Sequence, residues 1–203
     1  TRLTNADLET LNPAPEILDG DAALGVIVGR VTDCSLQDID RVYLNDDQKA
    51  LYPDNYVSYD RTRTSEFACF ASGDCEEASW TTDIVQEQQV LGTVTYEFTL
   101  ASGLRRVEAV PADGALTDPE VSARLSRTWM LGPATLTPSI AQFRQTYQLE
   151  IMTPYDGGLI HLYGMWTDLQ SGALNTEAAI FVNSYIDGLR DTLDALEAHC
   201  QAE

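Results

Sequence analysis

With 203 residues, 44% of them apolar, the chain is long enough to bury one substantial core, and it has no run of about 18 apolar residues to cross a bilayer as a helix. A formal charge of −20 and a pI near 4.1 leave no basic footprint, which argues against nucleic acid and against electrostatic docking on anionic lipid headgroups.

In chain order, Thr4-Asn5-Ala6-Asp7 resembles a capping box with Asp in place of Glu, opening a short helix through Leu8 and Leu11 that Pro13 and Pro15 end. Asp19-Gly20-Asp21 has the composition of a calcium loop but lacks its ordered ligand series and closing Glu, so it reads as a turn. Residues 1–22 are thus expected to be a short helix and linker, with a single domain over 23–203. Thr1 is not an initiator Met, and a targeting segment is expected ahead of it. Residues 23–31 are β-branched and apolar on both faces, a strand. Over 35–44, Leu36, Ile39, Val42 and Tyr43 mark the inner side of a helix whose first-turn acids suit its dipole. A second short helix covers 46–51, Tyr52-Pro53-Asp54 breaks it, and 56–63 alternates as a strand.

There are four cysteines. Cys69-Phe70-Ala71-Ser72-Gly73-Asp74-Cys75 has the spacing of a small disulfide loop with a Gly-Asp turn, whereas zinc wants shorter spacers and matched histidines, which His161 and His199 do not supply. Of the three connectivities, Cys69–Cys75 with Cys34–Cys200 is favoured, and it implies an exported protein. The competing reading is four reduced, buried thiols in a cytosolic protein.

Strands follow over 78–85 and 92–100, the latter alternating Val94, Tyr96, Phe98 and Leu100 against threonines and Glu97. Ala101-Ser102-Gly103 predicts a hairpin into a further strand over 104–110, and 111–121 is a polar surface loop. Over 123–131, Leu125, Trp129 and Leu131 share one face, Arg124, Ser126 and Thr128 the other. After Gly132-Pro133 and a short stretch over 134–137, the strand over 142–152 puts Phe143, Tyr147, Leu149 and Ile151 on a dry face and Arg144, Thr146, Gln148 and Glu150 on a wet one. Its Asp156-Gly157 turn leads into 159–166, apolar on both faces and so a central strand. Asn175 is a candidate cap for a long helix in which Ala178, Phe181, Val182, Tyr185, Ile186, Leu189, Leu193, Leu196 and Cys200 recur at three- and four-residue spacing. Such a helix must lie on a sheet. Arg61, Arg63, Arg124 and Arg144 read as outer-face ion pairs. Arg127, sharing parity with Leu125 and Trp129, is the candidate inward guanidinium, to be paired with Glu97, Glu150 or Asp168.

This order of a strand, two short helices, a meander of strands and one long terminal helix resembles the helix-grip fold of START lipid-transfer domains, plant pollen allergens and polyketide cyclases. The likeness covers about residues 23–200 and lies in element order, not in signature residues. It implies an α+β fold, a curved antiparallel sheet gripping the C-terminal helix, with the two short helices as a V under that helix's far end. The Cys34–Cys200 bridge would staple V to helix, and the insertion around Cys69–Cys75 is a departure. The resemblance also implies a cavity for a hydrophobic ligand such as a sterol, phospholipid or polyketide, lined by Tyr96, Phe98, Trp129, Tyr147, Leu149, Tyr163, Met165, Phe181, Tyr185 and Ile186. Plain core packing is the alternative for each. His161, on a face with Tyr163 and Met165, is either a ligand-bonding or acid–base group or a structural histidine, and Arg127 a polar anchor.

The expected function is an exported, non-enzymatic carrier of a hydrophobic small molecule, without metal or cofactor. Two alternatives stand beside it. One is a cyclase- or hydrolase-like enzyme, although no Ser-His-Asp grouping or Gly-x-Ser-x-Gly elbow is present. The other is an acidic interaction module with a filled core.

Overall fold

The structure, a computed structural model, describes residues 24–89, 93–108, 122–139, 141–170 and 179–201. The expected N-terminal helix, the Asp19-Gly20-Asp21 turn, the 111–121 loop and the Asn175 cap fall outside these residues. β1 (Leu24–Thr32) leads into α1 (Leu36–Leu44), where Ser35 and Asp38 form a reciprocal capping box that satisfies two first-turn amides. Asp47 caps the single turn of α2 (Gln48–Leu51). β2 (Ser58–Arg63) follows, then α3 (Phe67–Ser72), which the sequence reading did not anticipate inside the cysteine loop. Its buried face is only Phe67 and Phe70, and Gly73 ends it in the left-handed region.

The remaining strands are β3 (Glu77–Gln89), β4 (Thr93–Glu108), β5 (Ser122–Met130), β6 (Thr135–Thr137), β7 (Gln142–Tyr155) and β8 (Gly158–Gln170), followed by the long helix α4 (Ala179–Gln201). All pairings are antiparallel, in the order β1-β8-β7-β5-β4-β3-β2, with β6 on β4. This is the α+β, helix-gripping sheet that the element order implied. One local expectation fails: no hairpin forms at Ala101-Ser102-Gly103. Ala101 pairs with Thr81 on one side and Trp129 on the other, so these backbone groups are satisfied inside one continuous strand, and flanking strands override turn-prone composition. The β7–β8 turn is tighter than expected: Asp156 (φ 48°) and Gly157 (φ 83°) alone join Tyr155 to Gly158.

The V braces the end of α4. His199 Nε2 lies 2.6 Å from the Leu51 carbonyl oxygen, Arg41 donates to the His199 carbonyl, and Cys34 is bonded to Cys200, 166 residues away. Closing a loop of that length removes unfolded-state entropy equivalent to about 5 kcal/mol, and the Cys69–Cys75 bridge adds about 2.4. Along α4, Leu189 and Leu193 bury against Val26 and Tyr163, while Leu196 joins Ile39, Val42 and Met152. Arg30 on β1 pairs with Asp194 and Glu197 of the helix. Arg124, expected on the outer face, is buried and grips Asp40 of α1 with two hydrogen bonds of 2.6 and 2.7 Å, so a charge pair fixes the V on the sheet. None of the described helices is long and apolar enough to cross a membrane.

Candidate ligand cavity

Because β-strand side chains alternate, fixing which residues of each strand face α4 fixes the inner face of the sheet. On β5 these are Ser126 and Thr128, on β7 Thr146, Gln148 and Glu150, and on β8 Tyr163, Met165 and Thr167. With Thr82 and Ser102 they form the floor of a cavity of about 470 Å³ between sheet, V and helix. The hydroxyls of this floor pair sideways: Thr128 with Ser102 at 3.0 Å, Thr146 with Thr167 at 3.3 Å, Thr82 with Tyr59 at 3.4 Å. Hydroxyls that satisfy one another in this way can line open space at little desolvation cost. The walls are aromatic and aliphatic. Seven of the nine tyrosines line the space: Tyr43, Tyr52, Tyr56, Tyr59, Tyr96, Tyr163 and Tyr185. Phe98, Phe143, Ile84, Leu100, Leu169 and Leu189 join them.

One carboxylate stands in this wall. Glu150 Oε2 accepts from Tyr43 Oη at 2.5 Å and lies 2.8 Å from His161 Nε2. His161 is buried, 1% exposed, and parallel to the Tyr163 ring. Burial, then the Glu150 charge, pushes the Tyr43 and Tyr163 hydroxyls well above the ordinary tyrosine value, and Tyr52 is raised by the same two causes. Burial also raises Tyr56, and Tyr185 is pushed up to about 12. The phenols therefore stay neutral donors at physiological pH. Arg61 lies behind this end of the cavity, donating to the Tyr43 carbonyl at 2.7 Å and to Tyr59 Oη at 2.8 Å with its guanidinium 4.5 Å from the Trp80 ring centre. Among the described residues no three His, Cys, Asp or Glu side chains are grouped as metal ligands would be.

Of the residues the sequence singled out, Tyr96, Phe98, Tyr163, Met165 and Tyr185 meet at this cavity. His161 sits one layer behind it, bonded to Glu150. Ile186 packs with the Val26 cluster instead of lining the space, and the Phe181 side chain lies outside the described residues. Trp129, Tyr147 and Leu149 are placed differently from the sequence reading. They share the outer face of the sheet with Trp166, because the polar residues between them are the ones that face the helix. Arg127 is outward too: its guanidinium lies 5.9 Å from the Trp129 ring centre, and it makes no ion pair with Glu97, Glu150 or Asp168. Burial pushes Tyr147 up to about 12, with Arg127 opposing the shift, as two neighbours on that outer face would. The sequence reading missed Tyr52, Tyr56, Tyr59 and Glu150. The signal available for them was the density of tyrosine between the V and the next strand.

No protein-family model matches the sequence, and no curated protein does. Solved structures are similar in fold. A STAR-related lipid transfer protein of Xanthomonas axonopodis (fragment 25–204) superposes with a TM-score of 0.56 at 11% identity, over 92% of this chain and 90% of that one. TTHA0849 of Thermus thermophilus gives 0.54 at 11% identity, over 88% and 98%. Human STARD10 gives 0.50 at 8%, over 87% and 62%. At such identities the likeness concerns the fold alone.

Proposed function

We propose that this chain, a helix-grip protein by fold, is an exported carrier or sensor of a hydrophobic small molecule held between the inner face of its sheet and α4. The cavity carries the reading. Its volume of about 470 Å³ falls in the range of roughly 300–1,000 Å³ typical of small-molecule sites, and its walls are mostly aromatic and aliphatic above a floor of hydroxyls and amides that can set orientation. The fold it shares with a lipid transfer protein supports the same reading as an analogy. Two disulfides support export, since such bonds persist in oxidising compartments. A module with a filled core fits less well, because open space lies between Tyr163, Met165 and Tyr185. The set Tyr43, Glu150 and His161 favours an enzyme as the second reading, but His161 has no face on the cavity, so of the three only Tyr43 and Glu150 would meet a substrate.

Two experiments test the carrier reading. Mass spectrometry of an organic extract of the purified protein should recover a bound apolar molecule. Met165→Trp, which narrows the cavity from its floor, should abolish that recovery while the circular dichroism stays native. An empty extract together with no uptake of any apolar probe would overturn the reading, as would an unchanged ligand load in the Trp variant.

A further inference from the structure

We infer that the cavity selects an apolar molecule whose head is an amine, received as an ammonium group by Glu150 within a ring of tyrosines. The inference deepens the carrier reading and rests on it. Charge on the cavity wall is its first support. Among the described residues lining the space, Glu150 is the one acidic side chain, and no lysine, arginine or histidine lines it. An anionic head would meet a carboxylate, while the nearby guanidinium of Arg61 lies behind the wall, engaged with the Tyr43 carbonyl and Tyr59 Oη. A cationic head would find its counter-ion already in place.

The setting of that carboxylate is the second. Glu150 is 7% exposed, and both donors that reach it from described residues converge on Oε2, leaving Oε1 without a hydrogen bond. The Tyr43 phenol brings no charge to it, and His161 turns its other nitrogen, Nδ1, into a buried position without a hydrogen-bond partner, so Nε2 is the nitrogen that faces Glu150. A near-buried carboxylate with one oxygen unoccupied is costly by itself, and a cation at that oxygen offsets the cost. Tyr52, Tyr56 and Tyr163 line the same space, and each lies close enough to feel the Glu150 charge. Tyrosine ring faces attract cations, most strongly where water is excluded. A carboxylate that shares its cavity with these tyrosines therefore suits an ammonium better than a hydroxyl.

Dodecylamine, dodecanol and dodecanoate share a tail and differ in head charge. Each is titrated calorimetrically into the disulfide-intact chain at pH 7, below micelle-forming concentrations and in salt of about 0.15 M to screen the acidic surface. The amine is expected to bind about tenfold or more tightly than the other two. Glu150→Gln should erase that preference, bringing the amine to the affinity that dodecanol has for the same variant. Equal affinity for all three heads overturns the inference and leaves the carrier reading standing. So does an amine preference that survives Glu150→Gln, which is the behaviour of cations gathering on a surface of charge −20. Failure of all three probes to bind overturns the carrier reading itself. If Glu150→Gln does not fold, Tyr52→Leu and Tyr56→Leu decide: a several-fold fall in the ratio of amine to dodecanol affinity supports the inference, and an unchanged ratio overturns it.

Discussion

Along β7, Tyr147 and Leu149 point one way while Thr146, Gln148 and Glu150 point the other, and the polar set faces the helix. The outer face of the sheet is dry where it is best packed. Tyr147 and Trp166 bury together there with ring centres 6.4 Å apart, Trp129 and Leu149 flank them, and Gly164 leaves room that any Cβ would take from the Trp166 ring. The inner face is a floor of hydroxyls and amides under aromatic walls. Burial and site therefore need not coincide in this sheet. Outer aromatic packing contributes stability, and the inner face can stay open because hydroxyls on it pair with one another. A face of alternating Ser and Thr collapsed onto leucines would bury those groups for no gain.

The largest effect that sharpens this contrast comes from alkali. Unfolded tyrosines lose their protons near pH 10. In the folded chain burial holds Tyr185 at about 12 and pushes Tyr43, Tyr52, Tyr56 and Tyr163 upward as well. A raised folded value means that the native state keeps protons the unfolded state has released, so stability is full below pH 10 and falls as pH rises toward 12. Thermal melts from pH 9 to 12 should show a steep fall, with most of the phenolate absorbance appearing only as the circular dichroism is lost. Gradual ionisation of these phenols in a chain that stays folded would mean the inner walls are open to water.

A smaller effect separates the faces by mutation. Trp166→Ala on the outer face should cost about 3–5 kcal/mol in urea unfolding, the usual range for a large buried aromatic, and leave probe affinity unchanged. Thr128→Val on the inner face, which loses one hydrogen bond to Ser102, should cost about 0.5–1.5 kcal/mol. Equal costs at the two sites would erase the distinction.

Much of the fold was legible because it is carried by local signals. Ser35 and Asp38 sit at capping spacing, Asp156-Gly157 tolerates positive φ, and Leu189, Leu193 and Leu196 recur on one side of a helix. The bridges Cys34–Cys200 and Cys69–Cys75 form as favoured, the first consistent with the element order that puts the start of the V beneath the helix end. What was not legible is set by neighbours. Alternation along β5 and β7 gives the period of two but not which side faces the helix, so Trp129, Tyr147, Leu149 and Arg127 were assigned inward on hydrophobicity alone. Ala101-Ser102-Gly103 has turn composition, yet strands on both sides hold it extended. Glu150 looked like a solvent-facing carboxylate, and only the approach of Tyr43 from α1 and His161 from β8 makes it an interior group.

One spectrum tests the division of faces directly. Met165 lies on the cavity floor, and the Trp129 and Trp166 indoles lie on the opposite face of the same sheet. With 13C-methyl methionine and 15N-indole labels, titration with dodecylamine should shift the Met165 methyl strongly, leave Met152 in the core beneath the V unmoved, and leave both indoles where they are. Shifts at the Trp129 and Trp166 indoles with a stationary Met165 methyl would place binding on the outer face and contradict the account.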